Sequence, residues 1–243
     1  MGVVGFKQVF SLRAAMVEIF SSSKLSARSF VAFRSISAAV LVAHQVADAL
    51  RGEGRHYFVD LSHWTMMLAC ASECMLLALA ICPHGIPTAA RVELALWHLV
   101  QPLAMILAIV YWVSWSFRHP LSDLNLLHYL DFYSHGLYCL QLLISLFLSR
   151  LPFSMCKGIG LTVTYSLFFS IGMQFQAKVG QPCAGDEPHE CWLYEFNWQS
   201  PQAAILMLVL QCAVACPVVC AVYAGLVQCR DVNLDKEVYG SEV

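Results

Sequence analysis

The sequence has few charged residues. Asp, Glu, Lys and Arg make up 12% of its 243 residues, whereas a soluble domain carries about 25%. Hydrophobic residues make up 59% of the chain, and its mean hydropathy is +0.64. The formal net charge of -2 excludes the strong basic excess by which many nucleic-acid-binding proteins hold their partner. This composition predicts an integral membrane protein whose partners are membrane lipids and not nucleic acid.

The sequence also lacks any Cys-x-x-Cys pair, although it contains 11 cysteines. Most of them lie in apolar runs, where a thiol behaves as a small hydrophobic group. Cys212, Cys216 and Cys220 recur every fourth residue and so lie on one helix face, which favours core packing over metal binding. Cys183 and Cys191 share a polar loop, and we expect a disulfide between them. We expect no metal ion and no cofactor.

Six apolar segments are about 20 residues long, which is the length that an α-helix needs to cross a bilayer. They run approximately over residues 29–50, 61–82, 92–115, 129–148, 159–177 and 203–227. We therefore predict an all-α fold, a six-span transmembrane helical bundle over residues 29–227. Residues 1–28 precede it as a cytoplasmic segment that is a candidate amphipathic helix, and residues 228–243 follow it as a polar cytoplasmic tail.

The basic residues indicate how this bundle is oriented. Nine Lys and Arg residues fall on the side of the termini and four on the opposite side, with Arg34 left out because it lies within the first span. Lys and Arg are enriched in cytoplasmic loops. We therefore expect both termini in the cytoplasm, with the protein in the plasma membrane or an endomembrane.

Polar residues inside the predicted spans collect in the non-cytoplasmic half of the bundle. They stand where spans one and five end and where spans two and four begin, and they are His44, Asp48, Asp60, Ser62, His63, His128, Asp131, His135 and Gln174. Each ionisable group costs roughly 2.5–3.5 kcal/mol at the centre of a membrane helix. Their common location therefore indicates a candidate functional site.

His128, Asp131 and His135 are spaced so that they share one helical face. An imidazole beside a carboxylate can act as a general base and activate a hydroxyl. The pattern is thus compatible with a catalytic group in which Ser62 is the nucleophile, His135 the base and Asp131 its orienting partner. Alternatively, His128 and Asp131 are solvated and His135 bonds a neighbouring helix. Paired haem ligation by His44 and His135 also stays open, but no metal motif such as His-Glu-x-x-His is present.

Two further polar features lie outside that group. Glu73 is midway along span two, so it must be protonated or paired, and in a transporter it would be a candidate for a proton or ion step. Glu93, His98 and Gln101 open span three at its cytoplasmic end. We expect them to form a solvated helix start with one interhelical hydrogen bond.

Three segments contain motifs that can be compared with a known family. Residues 57–64 (Tyr-Phe-Val-Asp-Leu-Ser-His-Trp) are similar to the aromatic-x-x-Leu-Thr-Asn-Trp motif that opens a span in the rolling stone-like family of multi-pass membrane proteins. Residues 131–137 resemble its histidine-bearing span, and residues 193–201 resemble its tyrosine and tryptophan motif before the last span. With Arg150, Leu151 and Pro152 after span four and Tyr165 in span five, the resemblance covers roughly residues 30–226.

This resemblance implies two kinds of function. Rolling stone itself is associated with myoblast fusion, which implies a role in membrane organisation, adhesion or fusion. More distantly, the family is similar to the androgen-induced gene product family of membrane hydrolases, which use a Thr and a His to cleave fatty-acid esters of hydroxy fatty acids. Those two positions correspond to Ser62 and His135. The chain departs from the rolling stone-like pattern at His63 and Tyr138, where that family has Asn.

Overall fold

Long helices make up almost all of the described structure. The computed structural model describes residues 21–22, 24–50, 61–82, 87–116, 132–179, 192–193, 196–197 and 200–239. The α-helices are α1 (Ala27–Leu50), α2 (Leu61–Ile81), α3 (Pro87–Ser116), α4 (Tyr138–Leu148), α5 (Met155–Val179), α6 (Pro201–Val209) and α7 (Cys216–Tyr239). The prediction of an all-α fold is confirmed, apart from a small antiparallel hairpin of β1 (Trp192–Leu193) and β2 (Phe196–Asn197).

Two π-helical turns interrupt the α-helical pattern. Tyr133–Leu137 leads directly into α4, and Leu210–Ala215 joins α6 to α7. A π turn contains one more residue than an α-helical turn. Side chains before the turn therefore lie on a different helix face, relative to those after it, than a continuous α-helix would give. The first of these turns carries His135.

Among the described residues, four helical segments are long and apolar enough to cross a membrane. They are Ala27–Ala47, His63–Ile81, Thr88–Trp112 and Ile205–Asp231. A shorter apolar helical stretch runs over Tyr133–Leu148. Large apolar side chains on the outer faces are uncovered by protein, with Ile36 66% and Phe168 73% exposed. These features support the prediction of a multi-pass membrane protein.

The helices start and end close to the positions that the apolar runs predict. The hydroxyl of Ser26 accepts a hydrogen bond from the Ser29 N–H at 3.2 Å and so caps the start of α1. Pro87 is the first residue of α3, where the missing N–H of proline has no cost. As a result α3 begins five residues before Val92, the predicted start of span three. Of the N-terminal segment 1–28, residues 1–20 and 23 lie outside the described residues, as do 240–243 of the tail.

We call the two ends of the bundle the lower end and the upper end, according to the helices that begin and end there. At the lower end α1, α3 and α5 begin and α2, α4 and α7 end. At the upper end the directions are reversed. Two clusters of buried apolar side chains fill the interior. One includes Leu41, Met66 and Tyr133, and the other includes Cys216. Cys216 and Cys220 are both fully buried, as core packing predicts, whereas Cys212 is only partly buried.

Candidate functional site

His135 lies at the upper end, in the π turn before α4. Its side chain is half-buried. Its ring stacks on that of Tyr111 in the last part of α3, with 4.4 Å between the ring centroids and 13° between the ring planes. The imidazole is therefore held by an aromatic face and remains partly accessible, as a general base must be.

Gly136 allows α3 to approach this turn closely. A Cβ atom at this position would lie 2.6 Å from Nε1 of Trp112, so the indole packs directly on the glycine backbone. The ring of Trp112 also meets Phe132 edge to face, with centroids 4.3 Å apart. Trp112 thus contacts both the turn that carries His135 and the residue before it.

Tyr133 fastens the same turn to α1. Its ring stacks on His44 with centroids 4.4 Å apart, and its hydroxyl donates to Gln141 Oε1 at 2.6 Å. The Gln141 amide then donates to the hydroxyl and the carbonyl oxygen of Ser37, at 2.6 and 3.0 Å. The π turn is thus held from α1 and from α3, which fixes the position of the His135 backbone.

The predicted catalytic group is only partly within the described residues. Ser62 lies in the first turn of α2, four residues before Met66. Met66 is fully buried in the cluster that contains Tyr133. Residues four apart lie on the same face of an α-helix, so position 62 is on the face of α2 that packs towards the π turn. The Ser62 side chain lies outside the described residues. Asp131 and His128 lie outside them as well, as do Cys183 and Cys191 with their predicted disulfide.

A fully buried polar group lies at a different depth, towards the lower end. Arg34 on α1 donates from Nη1 to both carboxylate oxygens of Glu73 on α2, at 2.9 Å each. The Ser145 hydroxyl on α4 accepts from the same Arg34 nitrogen and donates to Glu73 Oε1 at 3.0 Å. All three residues are fully buried. Glu73 is therefore paired, one of the two states predicted for it, and the pair joins three helices.

Two aromatic rings of α1 also lie near the guanidinium group of Arg34. The Arg34 carbon Cζ lies 4.9 Å from the ring centroid of Phe30 and 5.7 Å from that of Phe33. Both distances are within the range at which a cation is attracted to an aromatic face. Arg34 is thus paired with the Glu73 carboxylate and also lies near two aromatic rings.

Glu93, His98 and Gln101 are buried, and the prediction that they form a solvated helix start is wrong. Glu93 Oε1 accepts from the Ser72 hydroxyl at 2.6 Å, and Gln101 Nε2 donates to the Leu142 carbonyl at 3.4 Å. The reason is the early start of α3 at Pro87, which places Glu93 almost two turns inside the helix. Neighbouring helices then cover it.

His98 links α3 to the connection before α5. Its Nε2 accepts the N–H of Ser154 at 2.9 Å, and its Nδ1 bonds the carbonyl oxygen of Leu94. Since a carbonyl can only accept, Nδ1 carries the hydrogen and the ring is neutral. The ring also stacks on Phe153, with centroids 5.2 Å apart. His98 therefore has a packing role that uses both of its nitrogens.

Sequence reasoning missed Arg34 as the partner of Glu73, although the helix positions contain the necessary signal. Arg34 is seven residues after the start of α1, and Glu73 is eight residues before the end of α2. At about 1.5 Å per residue, both lie roughly 11–12 Å from the lower end of antiparallel neighbours. Treating Arg34 as an interruption of span one concealed this match in depth.

No protein-family model, curated protein sequence or solved structure matches this chain. Within the described part of the chain, no three His, Cys, Asp or Glu side chains lie together in a way that would hold a metal ion. At the upper end, the described side chains around the π turn are the imidazoles of His44 and His135 and the rings of Tyr111, Trp112 and Tyr133.

Proposed function

We propose that this chain is a rolling stone-like, six-span integral membrane protein with both termini in the cytoplasm. Four segments already have the length and apolarity of spans. The stretch Tyr133–Leu148 and the 25-residue helix α5 would supply the other two. The basic residues Arg28, Arg91, Arg150, Lys157 and Arg230 all stand near the lower end, which supports placing that end in the cytoplasm.

We propose further that the upper end hydrolyses lipid esters, with fatty-acid esters of hydroxy fatty acids as the substrate class. The observation that carries this proposal is the half-buried His135, which stacks on Tyr111 in a π turn fastened to two helices. π turns within α-helices are frequent at functional sites. The backbone position of Ser62 in the first turn of α2, on the face towards this turn, supports its pairing with His135.

In the proposed reaction the Ser62 hydroxyl attacks the ester carbonyl carbon while the imidazole of His135 takes its proton. The ester C–O bond breaks, and the hydroxy fatty acid leaves with that proton. Water then attacks the acyl-serine, again with His135 as base, and releases the second fatty acid. Asp131 would orient the imidazole and stabilise its charged form.

Turnover by the purified full-length protein tests this proposal. The protein in lipid nanodiscs is given a fatty-acid ester of a hydroxy fatty acid, and released fatty acid is measured. Loss of a general base or nucleophile reduces rates by about 100-fold or more, so Ser62→Ala and His135→Ala are both expected to be almost inactive. Ser35→Ala is the matched control, because this exposed hydroxyl bonds only the Val31 carbonyl of its own helix among its described contacts. Unchanged turnover in Ser62→Ala and His135→Ala would contradict the hydrolase proposal.

A second candidate function is a non-enzymatic role in membrane organisation, adhesion or fusion. The buried Arg34–Glu73–Ser145 group favours it, because a polar group that joins three helices makes a rigid membrane scaffold independent of the upper end. Cell aggregation and content mixing are measured in cells that express wild-type protein, His135→Ala or Glu73→Gln. A scaffold role predicts full activity in His135→Ala and reduced activity in Glu73→Gln. Equal mixing with and without the protein would contradict it.

A further inference from the structure

Three cysteines at the lower end of the bundle differ from those that pack in its core. Cys82 directly follows Ile81, the last residue of α2. Cys156 is the second residue of α5, and Cys229 lies two residues before Asp231, where the candidate span Ile205–Asp231 ends. All three therefore stand where a helix enters or leaves its apolar segment.

The last helix and the start of α5 meet at this end. The Arg230 guanidinium donates from Nη1 to the backbone carbonyls of Leu146, Ser149 and Leu151, at 3.1, 2.9 and 3.1 Å. These carbonyls belong to the end of α4 and the connection to α5. The contacts hold this part of α7, nine residues before its last residue Tyr239, beside that connection, so Cys156 and Cys229 both lie at the lower end of the bundle.

The side chains of these three cysteines are exposed and have free thiols. Cys139, Cys216 and Cys220 are buried in contrast, and each has less than a tenth of its surface accessible. A buried thiol contributes to the core as a small hydrophobic group. Cys82, Cys156 and Cys229 make no such contribution, and their exposure leaves the sulfur accessible to a reagent.

The surroundings fit a lipid anchor on the cytoplasmic leaflet. Cys156 stands between Met155 and Lys157, both exposed, whereas the Arg230 side chain after Cys229 is buried and bonds backbone carbonyls. Basic side chains beside a membrane are attracted to its anionic cytoplasmic surface. Thiols also stay reduced on that side, and cysteines next to a membrane are substrates for reversible acylation.

We propose that Cys82, Cys156 and Cys229 are S-acylated by long-chain fatty acyl groups. The acyl donor is a long-chain acyl thioester of coenzyme A, delivered by a cellular acyltransferase. The cysteine sulfur attacks the carbonyl carbon of the donor, the bond from that carbon to the coenzyme sulfur breaks, and coenzyme A leaves as a thiol with the cysteine's proton. The product is a protein thioester whose acyl chain inserts among the lipids beside the helix. This modification rests on the proposed cytoplasmic placement of the lower end and is independent of hydrolysis.

Mass tagging of the full-length protein from eukaryotic cell membranes tests the proposal. Free thiols are blocked with N-ethylmaleimide, thioesters are cleaved with hydroxylamine, and the released thiols are tagged with a polyethylene glycol maleimide that slows migration in a gel. We expect tagging that requires hydroxylamine and is lost when Cys82, Cys156 and Cys229 are all replaced by Ser. Cys74→Ser is the matched control, because Cys74 is exposed but lies seven residues before the end of α2, well inside the apolar segment. It should leave the tagging unchanged.

Two results would overturn the proposal. One is the absence of hydroxylamine-dependent tagging in the wild-type protein, and the other is tagging that persists in the triple variant. Gel filtration of each variant checks that it remains folded, which exposed Cys→Ser changes should permit. If tagging is found but the purified protein does not cleave esters, S-acylation stands and the hydrolase proposal alone fails.

Discussion

At the scale of single residues, Arg34 and Glu73 form a buried ion pair that joins α1 to α2. An isolated charge in a bilayer costs several kcal/mol, and a buried pair avoids that cost only while both partners are present. Glu93, the other buried carboxyl group nearby, has a different setting. Its partner is the Ser72 hydroxyl, and its Oε2 has no hydrogen-bond partner within the described residues.

Replacing Glu73 or Glu93 by glutamine distinguishes the ion-paired carboxyl group from the one that bonds only a hydroxyl. Glu73→Gln leaves the buried charge of Arg34 without a counter-charge, and we expect a loss of about 3–5 kcal/mol in the free energy of unfolding. In Glu93→Gln the amide oxygen can still accept from Ser72, so we expect a loss below about 1.5 kcal/mol. Unfolding in mixed detergent micelles measures both changes. Equal losses in the two variants would show that the ion pair has no special role.

The sequence was informative about Glu73 but misleading about Glu93. A carboxylate midway along an apolar run has to be paired or protonated wherever its helix packs, so that prediction needed no tertiary structure. The environment of Glu93 depends on where α3 begins and on which helices cover it. Composition around a span boundary does not contain that information.

Among the elements, the π turn Tyr133–Leu137 most directly positions the candidate site. It carries His135, and it is compatible with the close approach of Trp112 because residue 136 is glycine. An apolar run predicts that a helix exists. Whether one turn of it becomes π-helical depends on the packing of α1 and α3 against it, which explains why the sequence predicted span four but not this turn.

Gly136→Ala should destabilise the protein. Alanine favours helical structure over glycine by about 0.5–1 kcal/mol, but its Cβ would lie 2.6 Å from the Trp112 indole. Overpacking of this kind costs about 1–3 kcal/mol, so we expect a net loss of about 1–2 kcal/mol in thermal unfolding experiments. Gly172→Ala is the matched control, because nothing lies within 4 Å of its Cβ position. A gain in stability for Gly136→Ala similar to that of the control would contradict this account of the turn.

For the whole molecule, the prediction that can be tested most simply is the six-span topology. Glycosylation acceptor sequences inserted at residues 51–60, 117–131 or 180–199 should receive glycans during membrane insertion, because these connections would face the lumen or the outside. Insertions at residues 83–86 or at either terminus should not be modified. The gel mobility of each insertion variant, before and after enzymatic glycan removal, measures the outcome. Glycans on both termini, or on only one of them, would contradict the proposed orientation.

Much of the architecture followed from the scarcity of charge. Apolar runs of about 20 residues can be satisfied in lipid only as helices, because the backbone must bond internally there. How those helices pair is a different matter, since it depends on contacts between side chains far apart in sequence. Three features depend on such contacts and became visible only in the structure. They are the Arg34–Glu73–Ser145 group, the hydrogen bonds of His98 and the contacts of Arg230.

Identification of the nucleophile tests the central claim most directly. A fluorophosphonate reacts covalently with a serine that a neighbouring base has activated, and mass spectrometry locates the modified peptide. The account predicts modification of Ser62 in the wild-type protein and none in His135→Ala, while Ser35→Ala is modified at Ser62 as in the wild type. An unmodified Ser62 in folded wild-type protein, or modification that persists in His135→Ala, would contradict it.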